Sequence, residues 1–180
     1  MKRCTATSRA TFPYRDAEIF DYTDEARLSP EQSAQRNIGE PQVNTAIEKL
    51  QTAQQRAMAI RPKVGGFPYL AETLRRAGVT RNLWYLPACQ SLYLTESGPV
   101  MSLGTPLVSG TVDVPRFDRE ALIAALRTDQ AGQSTFPEFL LASWHAGVVR
   151  YDVNLNALTC TYYGADGEEY VESYPAVDAG

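Results

Sequence analysis

The chain has 180 residues and a mass of 19.9 kDa, the size of one ordinary domain with an appendage. Hydrophobic residues make up 44% and charged residues 21%, enough apolar side chain to offset the ordering cost of a core, which excludes disorder throughout. The net charge of −4 and a pI near 5.1 have the wrong sign for a surface that tracks nucleic-acid phosphates, so bulk nucleic-acid binding is not expected.

Residues 1–40 stand apart as an N-terminal arm. Their apolar content is mainly aromatic, and Phe12, Tyr14, Phe20 and Tyr22 make the arm a candidate partner-docking segment. The segment Met1 to Ser8 lacks the apolar stretch of a signal peptide, and no run approaches the roughly 18 apolar residues of a membrane span. Three cysteines, Cys4, Cys89 and Cys160, form neither a disulfide framework nor a Cys-x-x-Cys zinc pair, which points to a reducing cytoplasm. Ser29, Pro30 and Gln32 have the order of a helix start, broken by Gly39-Glu40-Pro41.

A single α+β domain is expected over 41–180. From Gln42 to Ile60 the apolar residues Val43, Ile47, Leu50, Ala53 and Ala57 recur at three and four residues, predicting an amphipathic helix. Arg61 to Gly66 breaks it, and Phe67 to Ala77 forms a second helix closed by Gly78. Strands are predicted at Val79 to Leu86, Gln90 to Thr95, Val100 to Leu103 and Leu107 to Val114, where β-branched and aromatic residues concentrate. Asp118 then caps a third helix, and Thr135 with Glu138 has the spacing of a capping box for a fourth, Phe136 to Ala146. Three strands follow: Val148 to Asn154, Leu158 to Tyr163 and Glu169 to Tyr174.

An offset of 69 aligns Phe67 to Leu86 with Phe136 to Leu155, and Phe, Pro, Ala, Gly, Val, Arg and Leu coincide. These identities fall where a helix start and a helix-to-strand exit demand particular residues. The expected architecture is therefore an antiparallel sheet covered by helices. Two pseudo-twofold related helix-helix-strands repeats build it, about 43–114 and 115–175, with the arm added.

Gly66-Phe67-Pro68-Tyr69-Leu70-Ala71-Glu72, Gly104-Thr105-Pro106-Leu107-Val108, Gly132 to Phe139 and Ala146 to Tyr151 also carry a resemblance. Over about residues 43–175 the chain resembles an uncharacterised bacterial and prophage family often labelled "phage envelope protein". That label describes gene context and implies no catalytic residues, and the first 40 residues depart from the family pattern.

The two repeats differ at one informative place. The fourth helix carries Thr135 and Glu138 to satisfy its first amides, whereas the second is preceded by Gly65-Gly66 and has Tyr69 at the third position. With Arg61 and Lys63 upstream, the group Arg61, Lys63, Gly65, Gly66, Phe67 and Tyr69 is a candidate ligand or anion site for a phosphate or carboxylate. Residues 56–81 contain six basic side chains and one acid, Glu72. Arg75 and Arg76, however, sit about 13 Å further along the helix and suit its C-terminal end.

His145 is the single histidine, which excludes a multi-histidine metal site. Cys89, a packing residue by context, forms the one conceivable Cys-His pair with it. Neither a nucleophile elbow nor a phosphate loop is present. Asp166, Glu168, Glu169 and Glu172 read as a solvated hairpin rather than a metal site. Tyr85, Tyr93, Tyr151, Tyr162, Tyr163, Tyr170 and Tyr174 fall in predicted strands, as core or as the wall of a pocket.

No catalytic residue, metal or cofactor is expected. The leading expectation is a non-catalytic, phage-derived accessory protein that binds a protein partner or self-assembles into a homo-oligomer through arm and sheet. The alternative is a binder that sequesters a phosphorylated metabolite or nucleotide, and an enzyme of undefined reaction ranks last.

Overall fold

The computed structural model describes residues 45–180. The expected arm with Phe12, Tyr14, Phe20 and Tyr22, and the helix start at Ser29, lie outside the described residues. Helix α1 (Ala46–Ile60) is capped by Thr45, whose hydroxyl accepts from the Glu48 amide while the Glu48 carboxylate accepts from the Thr45 amide. Its buried stripe is Leu50, Ala53 and Ala57, the spacing that sequence periodicity implies. Helix α2 (Phe67–Arg76) buries Ala71, Thr73 and Leu74. Strands β1 (Val79–Tyr85), β2 (Gln90–Thr95) and β3 (Val100–Leu103) follow.

Residues 104–118 then run without strand or helix to Asp118, which caps α3 (Arg119–Gln130) by accepting from the Ala121 amide at 3.0 Å. The expected strand Leu107 to Val114 is therefore absent. Its β-branched residues favour extension, but Gly110 interrupts it and Pro106 and Pro115 flank it, and among the described residues β3 remains a sheet edge with no further strand beside it. Helix α4 (Phe136–His145) leads to β4 (Arg150–Asn154), β5 (Thr159–Tyr163) and β6 (Glu169–Ser173).

The six strands form one antiparallel sheet in the order β3-β2-β1-β4-β5-β6, an α+β fold. One face takes the helices. Tyr93, Val100, Tyr151, Val153, Cys160 and Tyr162 point to that face and join Leu50, Leu74, Leu122, Phe139 and Trp144 in one core cluster. The opposite face carries Arg81, Leu83, Leu92, Leu94, Met101, Tyr163 and Val171, and none of the four helices covers it.

Positions 69 apart share geometry. Ala77 and Ala146 have nearly equal φ and ψ (−84 and 8°, −79 and 9°), and Gly78 and Gly147 follow with φ of 86 and 80°. Cys89 and Leu158 are the non-glycine residues with positive φ among those described, at 45 and 56°. Each ends a tight turn between paired strands, where a left-handed residue returns the chain into register. The pair Arg81 with Leu94 becomes Arg150 with Tyr163 under the same displacement. The outer pairs differ by one residue, since Gln90 opposes Leu103 and Thr159 opposes Ser173.

Candidate functional site

Three places on the molecule concentrate chemistry. The first is the turn from α1 to α2. Arg61 ends α1, donating its amide to the Ala57 carbonyl at 3.0 Å. Lys63, Val64 and Gly65 are exposed, and Gly65 holds a φ of 65° that suits glycine. Gly66 caps α2 with no side-chain acceptor, whereas at α4 the Thr135 hydroxyl accepts from the Glu138 amide and Glu138 accepts from the Thr135 amide at 2.8 Å. Pro68 removes one amide from the first turn of α2, which leaves fewer donors for an anion than four helical residues would supply. Arg61, Lys63, Gly65, Gly66 and Phe67 share this turn. The Phe67 ring meets Tyr174 edge-on at 5.0 Å, and Tyr69 is a half-buried residue whose carbonyl accepts from the Thr73 hydroxyl. Across the turn, Gly132 faces the Lys63 carbonyl and the Val64 side chain.

The second is the open face of the sheet. Leu83, Leu92 and Met101 lie in one cross-strand row, flanked by Leu94 on one side and by Tyr85 and Leu103 on the other. Tyr85 is 41% exposed, Met101 53% and Leu103 60%. On the β4-β5-β6 half the same face turns polar, with Arg150 over the Tyr163 ring at 3.7 Å, and Thr159 and Thr161 beside them. Arg81 grips Asp152 through two nitrogens at the boundary between the halves.

The third is a cavity of about 310 Å³ between α2, the turn joining β4 to β5, and the segment after β6. Arg75 and Arg76 stand in the last turn of α2, as expected, and also converge on Glu72. Arg75 donates through Nε at 2.8 Å and Nη2 at 2.9 Å, and Arg76 through Nε at 2.7 Å. These guanidinium bonds hold the Glu72 carboxyl down at about 2. Arg76 also reaches Asp178 at 2.7 Å, fastening the segment 174–180 along α2. Leu155, Leu158, Ala176 and Val177 supply apolar wall; the Tyr174 hydroxyl, outside that lining, is buried without a protein partner.

A family described as "Protein of unknown function (DUF1398)" matches residues 55–173. The chain belongs to that family. Proteins named "Uncharacterized protein Mb2035" of Mycobacterium bovis and "Uncharacterized protein Rv2012" of Mycobacterium tuberculosis are each similar to it, 56% identical over 141 residues, or 78% of this chain and 85% of theirs.

In this DUF1398 member the remaining candidates are spread apart. His145 is exposed in the last turn of α4, the position that complements helix carbonyls. Cys89 lies in the turn between β1 and β2, where burial pushes its thiol up and the Leu107 backbone is its hydrogen-bond partner. Cys160 faces the core with its thiol raised to about 12, chiefly by burial. No group of three His, Cys, Asp or Glu residues that could hold a metal occurs among the described residues. Glu172, placed by sequence in an acidic hairpin, pairs with Arg127 at 2.5 Å. Among the described residues, no helix is long and apolar enough to cross a membrane. Tyr93, Tyr151 and Tyr162 are core, Tyr85 and Tyr163 open-face residues, and Tyr174 lies just beyond β6.

The cavity escaped the sequence reading. Its signal was in the offset alignment, which sets Arg75 opposite Trp144 and Glu72 opposite Leu141. At those offset positions a charged pair stands against an apolar pair.

Proposed function

We propose that the protein is a non-catalytic binding protein, built by duplication of a helix-helix-strands unit, whose working surface is the sheet face that none of the described helices covers. The observation that carries this is the row Leu83, Leu92 and Met101 with exposed Tyr85 and Leu103 around it. An apolar patch of this kind marks an interface; Gln90, between Tyr85 and Leu103, lays its amide against the Met101 sulfur within it.

The occupant is a second copy of the chain. Arg81 and Asp152 neutralise each other, Arg150 and Glu169 offset across the polar half, and so two such faces meet without net repulsion. Six strands spaced about 4.8 Å apart and about 17 Å long give a footprint of roughly 500 Å² per copy. Two copies together then reach the ~1,000 Å² that a specific association needs.

Duplication is supported by the matched turns at Cys89 and Leu158 and by the reciprocal bonds Leu86 N–H to Val149 O and Leu155 N–H to Thr80 O. Superposing 79–95 on 148–164 tests it; unrelated chain paths would end it. Phage derivation is part of the proposal on the strength of the sequence resemblance alone. A cytoplasmic setting is supported by the free thiols of Cys89 and Cys160.

Light scattering on the eluting full chain tests the surface. The expected mass is about twice 19.9 kDa at about 100 μM, and Leu92→Lys is expected to return it to one copy with the fold intact. A wild-type chain that stays monomeric at that concentration, or a Leu92→Lys protein that remains a dimer, would overturn the assignment. A second reading, capture of a phosphorylated metabolite or nucleotide at Arg61, Lys63 and the start of α2, is favoured by the uncapped Gly66 and opposed by the missing Pro68 amide. Phosphate titration with Lys63→Ala as control decides it: an unchanged response in the variant ends that reading.

A further inference from the structure

We infer that the cavity beside α2 is a binding site for a small amphipathic carboxylate, a molecule with one carboxylate and a short apolar body. It is a depression open to solvent on one side, and its volume of about 310 Å³ lies at the lower end of the range for small-molecule sites. Its lining is divided: Leu155, Leu158, Ala176 and Val177 on the apolar side, Arg75, Asn156 and the Glu72 carboxylate on the polar side.

The polar side is held in place before any ligand arrives. Glu72 takes Nε and Nη2 of Arg75, which fixes the plane of the guanidinium and leaves Nη1 as the donor not engaged by Glu72. Arg76 supplies a third bond to Glu72, so the carboxylate is neutralised from two sides and does not repel an incoming anion at full charge.

Under the duplication reading, the equivalent positions in the other half carry apolar side chains. There Trp144 stands for Arg75, Leu86 for Leu155 and Cys89 for Leu158. The one-residue difference in the outer strand pairs brings Leu107 opposite Val177. Trp144 and Leu86 are buried at 4% and 0% exposure, and the Leu107 amide donates to the Pro87 carbonyl at 3.0 Å, seating that segment on the turn. An indole therefore fills the position from which, on the α2 side, a charged pair borders open space. This comparison rests on the duplication reading, whereas the cavity and its lining do not. Superposition of the halves tests duplication with no ligand present, so the two ideas fail separately.

The test titrates the full chain with hexanoate, with hexanol and hexylamine as matched probes, following methyl resonances by NMR. Saturable shifts of the Leu155, Leu158 and Val177 methyls are expected with hexanoate at a dissociation constant on the order of 1 mM. Hexanol and hexylamine are expected to bind at least about tenfold more weakly, and Arg75→Gln to weaken hexanoate by a similar factor. Val177→Trp, which plugs the cavity as Trp144 does its counterpart, should abolish the shifts at remaining methyls while the protein melts no lower than wild type. The proposal falls if these methyls do not saturate by about 20 mM hexanoate, if hexylamine binds as well, or if folded Val177→Trp still binds.

Discussion

Gly65 and Gly147 hold the same left-handed backbone, at φ of 65 and 80°, in opposite surroundings. A side chain at Gly65 would meet nothing within 4 Å, whereas at Gly147 it would press into the backbone of Arg116 and Phe117. Gly65→Ala should therefore cost only the conformational penalty of about 1–2 kcal/mol. Gly147→Ala adds a clash that only backbone displacement relieves, so its denaturation midpoint should fall much further, to the point of failing to fold. Urea denaturation of the two variants makes the comparison; equal losses would contradict it. Cys160 gives a second outcome at this scale. Its thiol is raised to about 12 by burial, so it stays protonated at pH 8 and should resist iodoacetamide in the native protein while reacting freely in urea. Peptide mapping by mass spectrometry reads this out, and native labelling of Cys160 at the rate of the denatured chain would refute the buried placement. Residues with one strong local role were legible in the sequence: Asp118, Thr135, Gly78 and Gly147 all stand where their chemistry predicts. The roles of Glu72 and Val177 were not, because each depends on a neighbour that only folding brings near.

Helices α2 and α4 show how similar elements acquire different chemistry. Both begin Phe-Pro and end Ala-Gly before a strand, yet α4 closes its first turn with Thr135 and Glu138 while α2 places its carboxylate in the middle, between two arginines. The Glu72 pKa falls from 4.5 to about 2 on folding. A group with a depressed folded pKa contributes stability that is present above its unfolded value and is lost as pH falls through the folded one. The stability difference between wild type and Glu72→Gln should therefore be constant from pH 7 to about 5 and shrink between pH 4.5 and 2. Denaturant titrations along that range measure it, and a gap that widens on acidification would reverse the assignment. Periodicity and caps made the four helices legible. The Leu107 to Val114 strand was misread because β-branched composition reports a taste for extended backbone, not the presence of a neighbour to bond. Leu107 and Val108 rest against the core, and Val112 and Val114 are exposed, in a connection that has no ladder to join.

At the level of the molecule, the sheet order puts β1 and β4 side by side at the centre, with Leu83 opposite Asp152. The offset alignment said nothing of which strands would adjoin, because seven identities locate a helix exit without fixing an edge. Nor did it indicate that the row Leu83, Leu92 and Met101 would lie across β1, β2 and β3; that follows from the pairing register, which sequence periodicity leaves open. The central seam has a mechanical consequence for the long connection from Gly104 to Phe117, whose residues 109–114 are all exposed. A protease that cuts there severs the backbone without breaking a single rung of the ladder between the two central strands. The nicked protein should run as two pieces on a denaturing gel and elute undivided under native conditions. The covalent link across that loop is then a tether the finished fold can lose, because main-chain bonds across the seam and the shared core continue to clasp the two fragments together.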